Sequence, residues 1–356
     1  LFSQSSISHL PQSNPPVKLV SYSTTNTPER LGLVIDGQLF DVADGGSRLS
    51  LDVPETILPL LQQGDRTMDA CRTIEESCRS GNFSPLSPGS YRLLAPVPHP
   101  PTCRDGYAFR QHVATARRNR GAEMIKEFDE YPIFYFTNHH SIVGEGEVVV
   151  ESDHLLKLDF ELEGAIVIGK GGRNIRSKDA DSHIAGFTIM NDFSARVLQM
   201  EEMLLSLGPA KGKDFATAIG PWLVTPDELA AHKLDTPFGD TYDLRMTALH
   251  NGKQISDGNL RDMNWTFAEI IERASYGVDL FPGDVIGSGT VGTGCYLELN
   301  GTWSLEAKDS GEQYTPVWLN AGDTITLEIA GLGRLTNRIV KASGDHSILA
   351  KKKIAK

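Results

Sequence analysis

The alternation of acidic and apolar residues from Asp159 to Glu163 restricts the fold of this chain more than any other feature. In a β-strand successive side chains point to opposite faces, so the pattern predicts that Asp159, Glu161 and Glu163 share one face. The apolar run 164–169 follows directly and is typical of a buried strand. We therefore expect a strand that carries three carboxylates into the core of the protein.

Carboxylates crowded on one strand face repel one another. Like charges about 6.6 Å apart along a strand in a low-dielectric setting repel by roughly 1 kcal/mol or more unless a cation lies between them. Mg²⁺, Ca²⁺ and Mn²⁺ prefer such oxygen ligands. An acidic, solvated strand face with Lys157 and Lys170 as neighbours explains the pattern equally well, so the pattern alone leaves both interpretations open.

A second predicted strand, residues 184–191, ends at Asp192 and is followed by a helix from about Ser194. Asp192 is therefore either the N-cap of this helix or a further carboxylate of the same site. Gly208 and Pro209 then end the helix.

Several motifs occur in order around these acids. They are Phe160-Glu161-Leu162-Glu163, Met190-Asn191-Asp192-Phe193-Ser194-Ala195-Arg196, Gln199, Gly212-Lys213-x-Phe215-x-Thr217 and Gly220-Pro221-Trp222. On these motifs the chain resembles the fumarylacetoacetate hydrolase family over roughly residues 98–340. The resemblance implies a β-rich α+β fold, namely a mixed β-roll of the fumarylacetoacetate hydrolase type with a small SH3-like N-terminal β domain.

The resemblance also implies a metal site. Glu161, Glu163 and Asp192 match the residues that hold a divalent cation in the family, and the spacing Asp105-x-Tyr107 marks Asp105 as the fourth ligand. The implied cofactor is Mg²⁺, or else Ca²⁺ or Mn²⁺. Asp159 is expected to lie outside the ligand shell.

For catalysis, the resemblance implies that His112 is the general base, that Glu298 orients it, and that Lys213 donates to a developing oxyanion. Charged donors at such an oxyanion are typically worth about 3 to 4 kcal/mol. The resemblance implies substrate contacts from Tyr107, Arg120, Tyr135, Arg196, Gln199 and Thr290. Arg120 lies one residue away from the position of the family's arginine.

Residues 281–290 match the Pro-Gly-Asp-x-x-x-Ser-Gly-Thr loop of the family. The loop overlaps Gly287-x-Gly289-x-x-Gly292, which is formally a dinucleotide fingerprint. Residues 295–299 alternate like a strand, whereas that fingerprint must open a helix, so we predict no nucleotide site. The same alternation places Glu298 on a strand.

Composition excludes some classes of partner. The net charge of −12 and the pI near 5.3 argue against nucleic acid or an anionic membrane surface as a partner. The sequence has no apolar run long enough for a membrane span. The four cysteines lack Cys-x-x-Cys spacing, which indicates reduced thiols and a cytoplasmic location.

The 356 residues allow about two domains. We predict a flexible arm at 1–17, a small N-terminal β/α domain at 18–95 and a catalytic domain at 96–350. Within the N-terminal domain the patterns predict strands at 18–23, 31–35 and 38–42 and helices at 54–62 and 66–79.

The resemblance implies an enzyme that hydrolyses a carbon–carbon bond in a β-diketo acid. It also implies a small anionic keto acid as substrate, fumarylacetoacetate or a related acylpyruvate of aromatic amino-acid catabolism, and a homodimer as the assembly. In the decarboxylase and acylpyruvase branch of the family a glutamate follows the histidine by one helical turn. Thr115 occupies that position here, which favours hydrolysis with Glu298 as the partner of His112.

Two alternatives remain open. One is an oxaloacetate decarboxylase, isomerase or dehydratase of the same family. The other is a binding module without catalysis, against which the retained His112, Lys213 and Glu298 argue.

Overall fold

The computed structural model of the chain describes residues 17–349. The predicted flexible arm, 1–17, lies outside these residues except for Val17, which is buried and donates its backbone N–H to Thr225 Oγ1. The strands are β1 (Lys18–Ser23), β2 (Arg30–Ile35), β3 (Gln38–Asp41), β4 (Arg92–Leu93), β5 (Cys103–Gly106), β6 (Phe134–Thr137), β7 (Ile142–Val143), β8 (Gly146–Val150), β9 (Leu158–Asp159), β10 (Leu162–Ile168), β11 (Gly172–Arg173), β12 (Ile184–Asp192), β13 (Ser194–Ala195), β14 (Thr217–Val224), β15 (Lys233–Thr236), β16 (Gly239–Tyr242), β17 (Arg245–His250), β18 (Lys253–Asn259), β19 (Asp279–Leu280), β20 (Val285–Gly287), β21 (Thr324–Ile329) and β22 (Gly333–Lys341).

Helices connect these strands. They are α1 (Val42–Leu49), α2 (Ile57–Gln63), α3 (Asp65–Arg79), α4 (Arg110–Arg118), α5 (Ser177–Ala180), α6 (Arg196–Met203), α7 (Phe267–Ser275) and α8 (Tyr296–Asp309). Short 3₁₀ helices occur at Lys126–Asp129, His139–Ser141, His154–Lys157, Asp181–His183, Pro226–His232 and Leu260–Asp262.

An eleven-stranded sheet forms the centre of the molecule, in the order β3-β2-β1-β14-β12-β10-β20-β5-β6, with β4 beside β1 and β7 beside β14. Its neighbouring strands are antiparallel except for β20 with β5 and β14 with β7. A five-stranded sheet, in the order β18-β17-β21-β22-β8, shares a hydrophobic core with it. Three two-stranded pairs, β11 with β19, β9 with β13 and β15 with β16, complete the strand pairing of the described residues.

Both faces of β10 are buried, as the apolar run 164–169 predicts. Ile166 and Ile168 belong to one apolar cluster with Leu327 of the five-stranded sheet. Ala165 and Val167, on the opposite face, belong to a second cluster that includes residues of α2 and α3. Burial of apolar surface stabilises the folded state by about 25 cal/mol per Å². Because β10 is buried on both faces, it holds the polar groups near its start in fixed positions.

The N-terminal residues continue the large sheet. Strand β1 pairs with β14 through Lys18 with Val224 and Leu19 with Leu223, and the second cluster joins both parts of the chain. Sheet and core therefore cross the boundary predicted between residues 95 and 96, and a separate SH3-like N-terminal domain is not confirmed. The prediction of a β-rich α+β fold is confirmed.

Most N-terminal elements lie where the sequence predicts them, but helix α1 was not predicted. The Asp41 carboxylate caps this helix by accepting the Asp44 N–H at 2.7 Å. Gly45 and Gly46 lower the helix propensity of the segment. A Cβ at Gly45 would lie 2.5 Å from Ile74 Cγ2, so the glycine allows α1 to pack closely on α3.

In the second half of the chain, one predicted strand is found and one is wrong. The strand predicted at 184–191 is β12, which ends on Asp192. Residues 295–299 are not a strand, because Cys295 is the N-cap of α8 and the helix begins at Tyr296. The Asp159 carboxylate accepts the N–H groups of Tyr296 at 2.7 Å and Leu297 at 2.9 Å. A distant acid thus satisfies the helix start that the local sequence leaves uncapped.

Candidate active site and metal centre

Four carboxylates converge at the ends of neighbouring strands of the large sheet. Asp105 lies on β5, Glu161 directly before β10, Glu163 on β10, and Asp192 at the end of β12. One oxygen of each lies within 4.8 Å of the others, and all four side chains are buried. The structure thus brings together the four residues predicted as metal ligands.

Asp159 turns away from this carboxylate cluster. The chain leaves strand geometry at residues 160–161, where Asn191 Oδ1 accepts the Glu161 N–H at 3.0 Å. Asp159 lies at the start of α8 instead. Asp159 is not one of the four grouped carboxylates, and its exclusion from the ligand set stays a prediction.

Burial and mutual repulsion perturb the acids of the cluster. Burial, and then the charge of Asp192, raises the pKa of Asp105 to about 7. Burial and the charge of Asp105 raise the pKa of Glu163 well above its ordinary value. Burial also opposes ionisation of Glu161, but Lys213 and Arg196 outweigh it and lower its pKa to about 2. With all four carboxylates ionised, the cluster would carry more negative charge than its two basic neighbours neutralise, so the ionised forms of Asp105 and Glu163 are disfavoured.

The residues present fit a hard divalent cation. Glu163 Oε1 and Asp192 Oδ1 are buried and have no hydrogen-bond partner among the described residues. A Cβ at Gly287 would lie 2.7 Å from Asp105 Oδ1 and 2.9 Å from Glu163 Oε2, so glycine keeps the space beside these oxygens clear. A set of carboxylate oxygens alone is the donor set of Mg²⁺, Ca²⁺ or Mn²⁺.

Lys213 and Tyr135 lie against this cluster. Lys213 Nζ donates to Glu161 Oε2 at 2.5 Å and to Asp192 Oδ2 at 2.6 Å. The Tyr135 hydroxyl also donates to Asp192 Oδ2. The two side chains therefore fix oxygens of the cluster and close one of its sides.

Arg196 and Gln199 form a brace behind Glu161. Arg196 is buried and donates to Glu161 Oε1 at 2.7 Å and to Asp159 Oδ2 at 2.9 Å. It also donates to Gln199 Oε1 at 2.9 Å. These bonds orient Glu161, and the predicted contacts of Arg196 and Gln199 with substrate stay predictions.

His112 and Glu298 form a buried pair beside the cluster. His112 lies on α4 and Glu298 on α8, and His112 Nδ1 is 2.6 Å from Glu298 Oε2. Asp159 accepts the first N–H of α8 and shares Arg196 with Glu161, which connects the helix of Glu298 to the carboxylate cluster. Asn119 Nδ2 donates to the Glu298 backbone oxygen at 2.9 Å and joins the two helices. The pairing predicted for these residues is found, although Glu298 lies on a helix and not on a strand.

The remaining predicted substrate contacts differ in position. The Tyr107 ring lies edge-on to His112, with ring centroids 6.2 Å apart. Thr290 is buried in the loop after β20. Arg120 is exposed in the turn after α4, and its Nε donates to Ala116 O at 3.0 Å, so the structure does not place its guanidinium in the cluster.

The glycine loop after β20 faces the acids. The Gly289 N–H donates to Asp105 Oδ1 and Glu163 Oε2, both at 3.1 Å. The strand predicted after this loop is wrong, because helix α8 follows the loop. The Gly289 N–H is already donated to two carboxylates, so it is not available to the phosphate of a nucleotide. The loop therefore belongs to the carboxylate site.

Sequence reasoning missed two residues that shape the site. Asn119 carries no signal of its own in the sequence, and Asp159 was seen only as part of the acidic alternation. Each acts through contacts between segments that are more than 100 residues apart.

Four convergent carboxylates beside a buried His–Glu pair are an arrangement that could hold a hard cation next to a base. The model of the family described as "Fumarylacetoacetate (FAA) hydrolase C-terminal" matches residues 102–340. The chain belongs to the fumarylacetoacetate hydrolase family.

Two curated relatives carry the same name for their activity. The chain is 30% identical over 314 residues to the human mitochondrial oxaloacetate tautomerase FAHD2A, which covers 84% of this chain and 86% of that protein. It is 29% identical over 324 residues to the oxaloacetate tautomerase YisK of Bacillus subtilis, with 87% and 95% covered. Among solved structures, a fumarylacetoacetate hydrolase from Exiguobacterium antarcticum matches with a TM-score of 0.65 at 24% identity, over 92% of this chain and 100% of that one, which shows a common fold.

Within residues 17–349, every helix is too short or too polar to cross a membrane.

Proposed function

We propose that the protein catalyses proton transfer next to the keto group of a small 2-oxo dicarboxylic acid, as an oxaloacetate tautomerase. The observation that carries the proposal is the buried His112–Glu298 pair beside four carboxylates. Tautomerisation needs only a base that removes a proton and returns it at another atom, together with stabilisation of the enolate between the two steps. Relatives about 30% identical over most of the chain are named for this activity, which supports the choice.

The roles of the residues follow from their contacts. Asp105, Glu161, Glu163 and Asp192 would hold the divalent cation, which when bound supplies Lewis-acid stabilisation of the negative charge on the substrate oxygen. His112 accepts the proton from the substrate carbon and gives it back to the oxygen, or the reverse. Nδ1 faces Glu298 at 2.6 Å, so Glu298 holds the proton on Nδ1 and leaves Nε2 as the base.

Side chains around the carboxylates and His112 have supporting roles. Lys213 lies between Glu161 and Asp192 and offsets part of their charge, so the site can accept an anionic substrate. Tyr107 covers one edge of the His112 ring and limits access of water to it. Contacts of Arg196, Gln199, Thr290 and Arg120 with the substrate carboxylates stay part of the proposal.

Hydrolysis of an acylpyruvate or fumarylacetoacetate is the second candidate. The observation that favours it is that Glu298 reaches His112 from a different helix, while Thr115 occupies the position one turn after His112. A histidine held in this way by a second element of the fold is suited to deprotonating a fixed water. The hydrolase assignment and the role in aromatic amino-acid catabolism stay predictions.

Three substrates distinguish the candidates. We would measure ketonisation of enol-oxaloacetate by its ultraviolet absorbance, and cleavage of acetylpyruvate and fumarylacetoacetate, all with Mg²⁺ present. We expect the wild type to accelerate ketonisation, and His112→Ala to lower the rate by about 10² to 10⁴, which is the usual contribution of a general base. The exposed His140 provides the control, because His140→Ala should leave the rate unchanged.

The outcomes separate clearly. Cleavage of either diketo acid without faster ketonisation would replace the tautomerase with the hydrolase. Carbon dioxide release from oxaloacetate as the main reaction would assign the decarboxylase alternative. Ketonisation that survives His112→Ala within about tenfold would refute the assigned base.

A further inference from the structure

A second group of metal-binding atoms lies beside the carboxylate cluster. His112, Cys295 and Glu298 each offer one ligand atom, and these three atoms lie within 4.8 Å of one another. All three side chains are buried, with exposed fractions of 6%, 0% and 2%. The proposed reaction uses His112 and Glu298 but has no role for the thiol.

The helix geometry explains why these atoms meet. Cys295 is the N-cap of α8 and Glu298 lies in its first turn, and residues three apart project from the same face of a helix. Helix α4 brings His112 to that face, at 2.6 Å from Glu298. Cys295 and Glu298 therefore face the same way, and a cation between them and His112 could contact all three residues.

The donor set differs from that of the carboxylate cluster. Thiolate sulfur, imidazole nitrogen and carboxylate oxygen are the ligands that Zn²⁺ takes in proteins, whereas Mg²⁺ and Ca²⁺ require oxygen. The two neighbouring groups of side chains therefore suit cations of different hardness.

The charge around Cys295 suits a cation and not a free thiolate. Burial, and then the charge of Asp159, raises the pKa of the Cys295 thiol; Arg196 opposes this shift, and Glu161 and Glu298 add to it. A divalent cation is attracted by the same carboxylates that oppose the thiolate. On coordination the S–H bond breaks, a Zn–S bond forms, and the proton leaves to solvent.

We propose that His112, Cys295 and Glu298 form a Zn²⁺ site whose occupation inhibits the enzyme. A neutral imidazole has one basic nitrogen and one N–H. If Zn²⁺ takes the basic nitrogen, whichever of the two it is, the other carries the proton, and no base remains. The inhibition rests on the proposed role of His112, whereas the metal site itself does not.

The test is a titration of the Mg²⁺-loaded enzyme with Co²⁺ and, separately, with Zn²⁺. Co²⁺ reports the site directly, because a cobalt–thiolate bond gives a charge-transfer band in the near ultraviolet that carboxylate ligands do not give. We expect the band in the wild type, its loss in Cys295→Ser, and its retention in Cys71→Ser, which alters an equally buried thiol of the N-terminal part. A Zn²⁺ addition should remove the cobalt band.

Inhibition gives the second readout. Cys295→Ser should keep its Mg²⁺-supported turnover and resist Zn²⁺ by at least about tenfold, since even an outer partner of a metal ligand is typically worth 10- to 100-fold in affinity. Absence of the cobalt band in the wild type, or its persistence in Cys295→Ser, would overturn the site. Zn²⁺ inhibition of equal strength in wild type and Cys295→Ser would place the inhibitory ion in the carboxylate cluster. If Cys295→Ser unfolds, Cys295→Ala with the same cobalt readout replaces it.

Discussion

The substitution Asp159→Asn tests the link between the acidic strand and helix α8. Asp159 is fully buried, and each of its oxygens accepts two N–H groups. Oδ1 accepts from the backbone of Phe160 and Tyr296, and Oδ2 accepts from Leu297 and from the Arg196 side chain. Asparagine has nearly the same shape but replaces one oxygen with an amide NH₂, which cannot accept.

The expected loss of stability follows from these contacts. Whichever oxygen is replaced, two buried donors lose their acceptor, and each unsatisfied donor costs about 1–3 kcal/mol. Removing one partner of a buried ion pair costs about 3–5 kcal/mol of stability. The loss of the ion pair and the loss of the two acceptors concern the same contacts, so the two costs do not add. Arg196 keeps Glu161 as a partner, so we expect a loss of about 3 kcal/mol in the free energy of unfolding.

Urea unfolding of the wild type and the variant, followed by circular dichroism, measures this loss as a lower midpoint at unchanged slope. The matched control is Asp257→Asn, because Arg245 donates to both oxygens of Asp257 in an exposed pair. Exposed pairs contribute about 1 kcal/mol or less. Equal losses in the two variants would refute the reasoning that the Asp159 network holds α8 in place.

Three further predictions test other parts of the molecule. Mg²⁺ or Mn²⁺ at about 100 times its Kd should stabilise the protein by about 2.7 kcal/mol, measured as a higher temperature of thermal unfolding. Glu163→Gln should abolish this increase. Chelation that leaves both stability and activity unchanged would contradict the metal site. Burial alone would raise the pKa of Asp41, but hydrogen bonds from Arg30 and Tyr22 outweigh it and lower the pKa. The ionised carboxylate therefore stabilises the fold above about pH 4, and this stabilisation is lost as the pH falls further. The stability difference between wild type and Asp41→Asn should shrink below that pH, and a larger difference there would refute the assignment. The homodimer stays a prediction, for which sedimentation should give twice the monomer mass at micromolar concentration, and a monomer there would remove it.

The strands that carry the candidate metal ligands could be predicted from local pattern, whereas the choice of Glu161, Glu163 and Asp192 as ligands came from the resemblance to the family. An apolar strand that follows an alternating acidic segment leads into the core, and a second strand that ends on an acid lies beside it in the sheet, so Glu161, Glu163 and Asp192 converge from neighbouring strands. The resemblance to the family added Asp105 and the pairing of His112 with Glu298. Burial of β10 on both faces also followed from its composition alone.

The N-terminal part could not be predicted in the same way. Its strands were found, because hairpin patterns are local, but nothing in them indicates that β1 pairs with β14 about 200 residues later. Helix α1 depends on close packing against Ile74, which a sequence with two adjacent glycines does not suggest. Long-range pairing and glycine contacts both depend on the assembled sheet, and single-sequence patterns carry no information about it.

One contact explains both errors near the active site. The alternation from Asp159 to Glu163 predicts three carboxylates on one face, but the strand is interrupted at residues 160–161, and the Asp159 carboxylate leaves that face for the N–H groups that open α8. The same carboxylate supplies the cap that makes 295–299 helical, although these residues alternate like a strand. A buried carboxylate is stable only where hydrogen-bond donors contact it, and the first turn of a helix offers unpaired backbone N–H groups. The position of Asp159 and the start of α8 therefore depend on each other. Through Arg196 on one side and Glu298 on the other, they link the carboxylate cluster to His112.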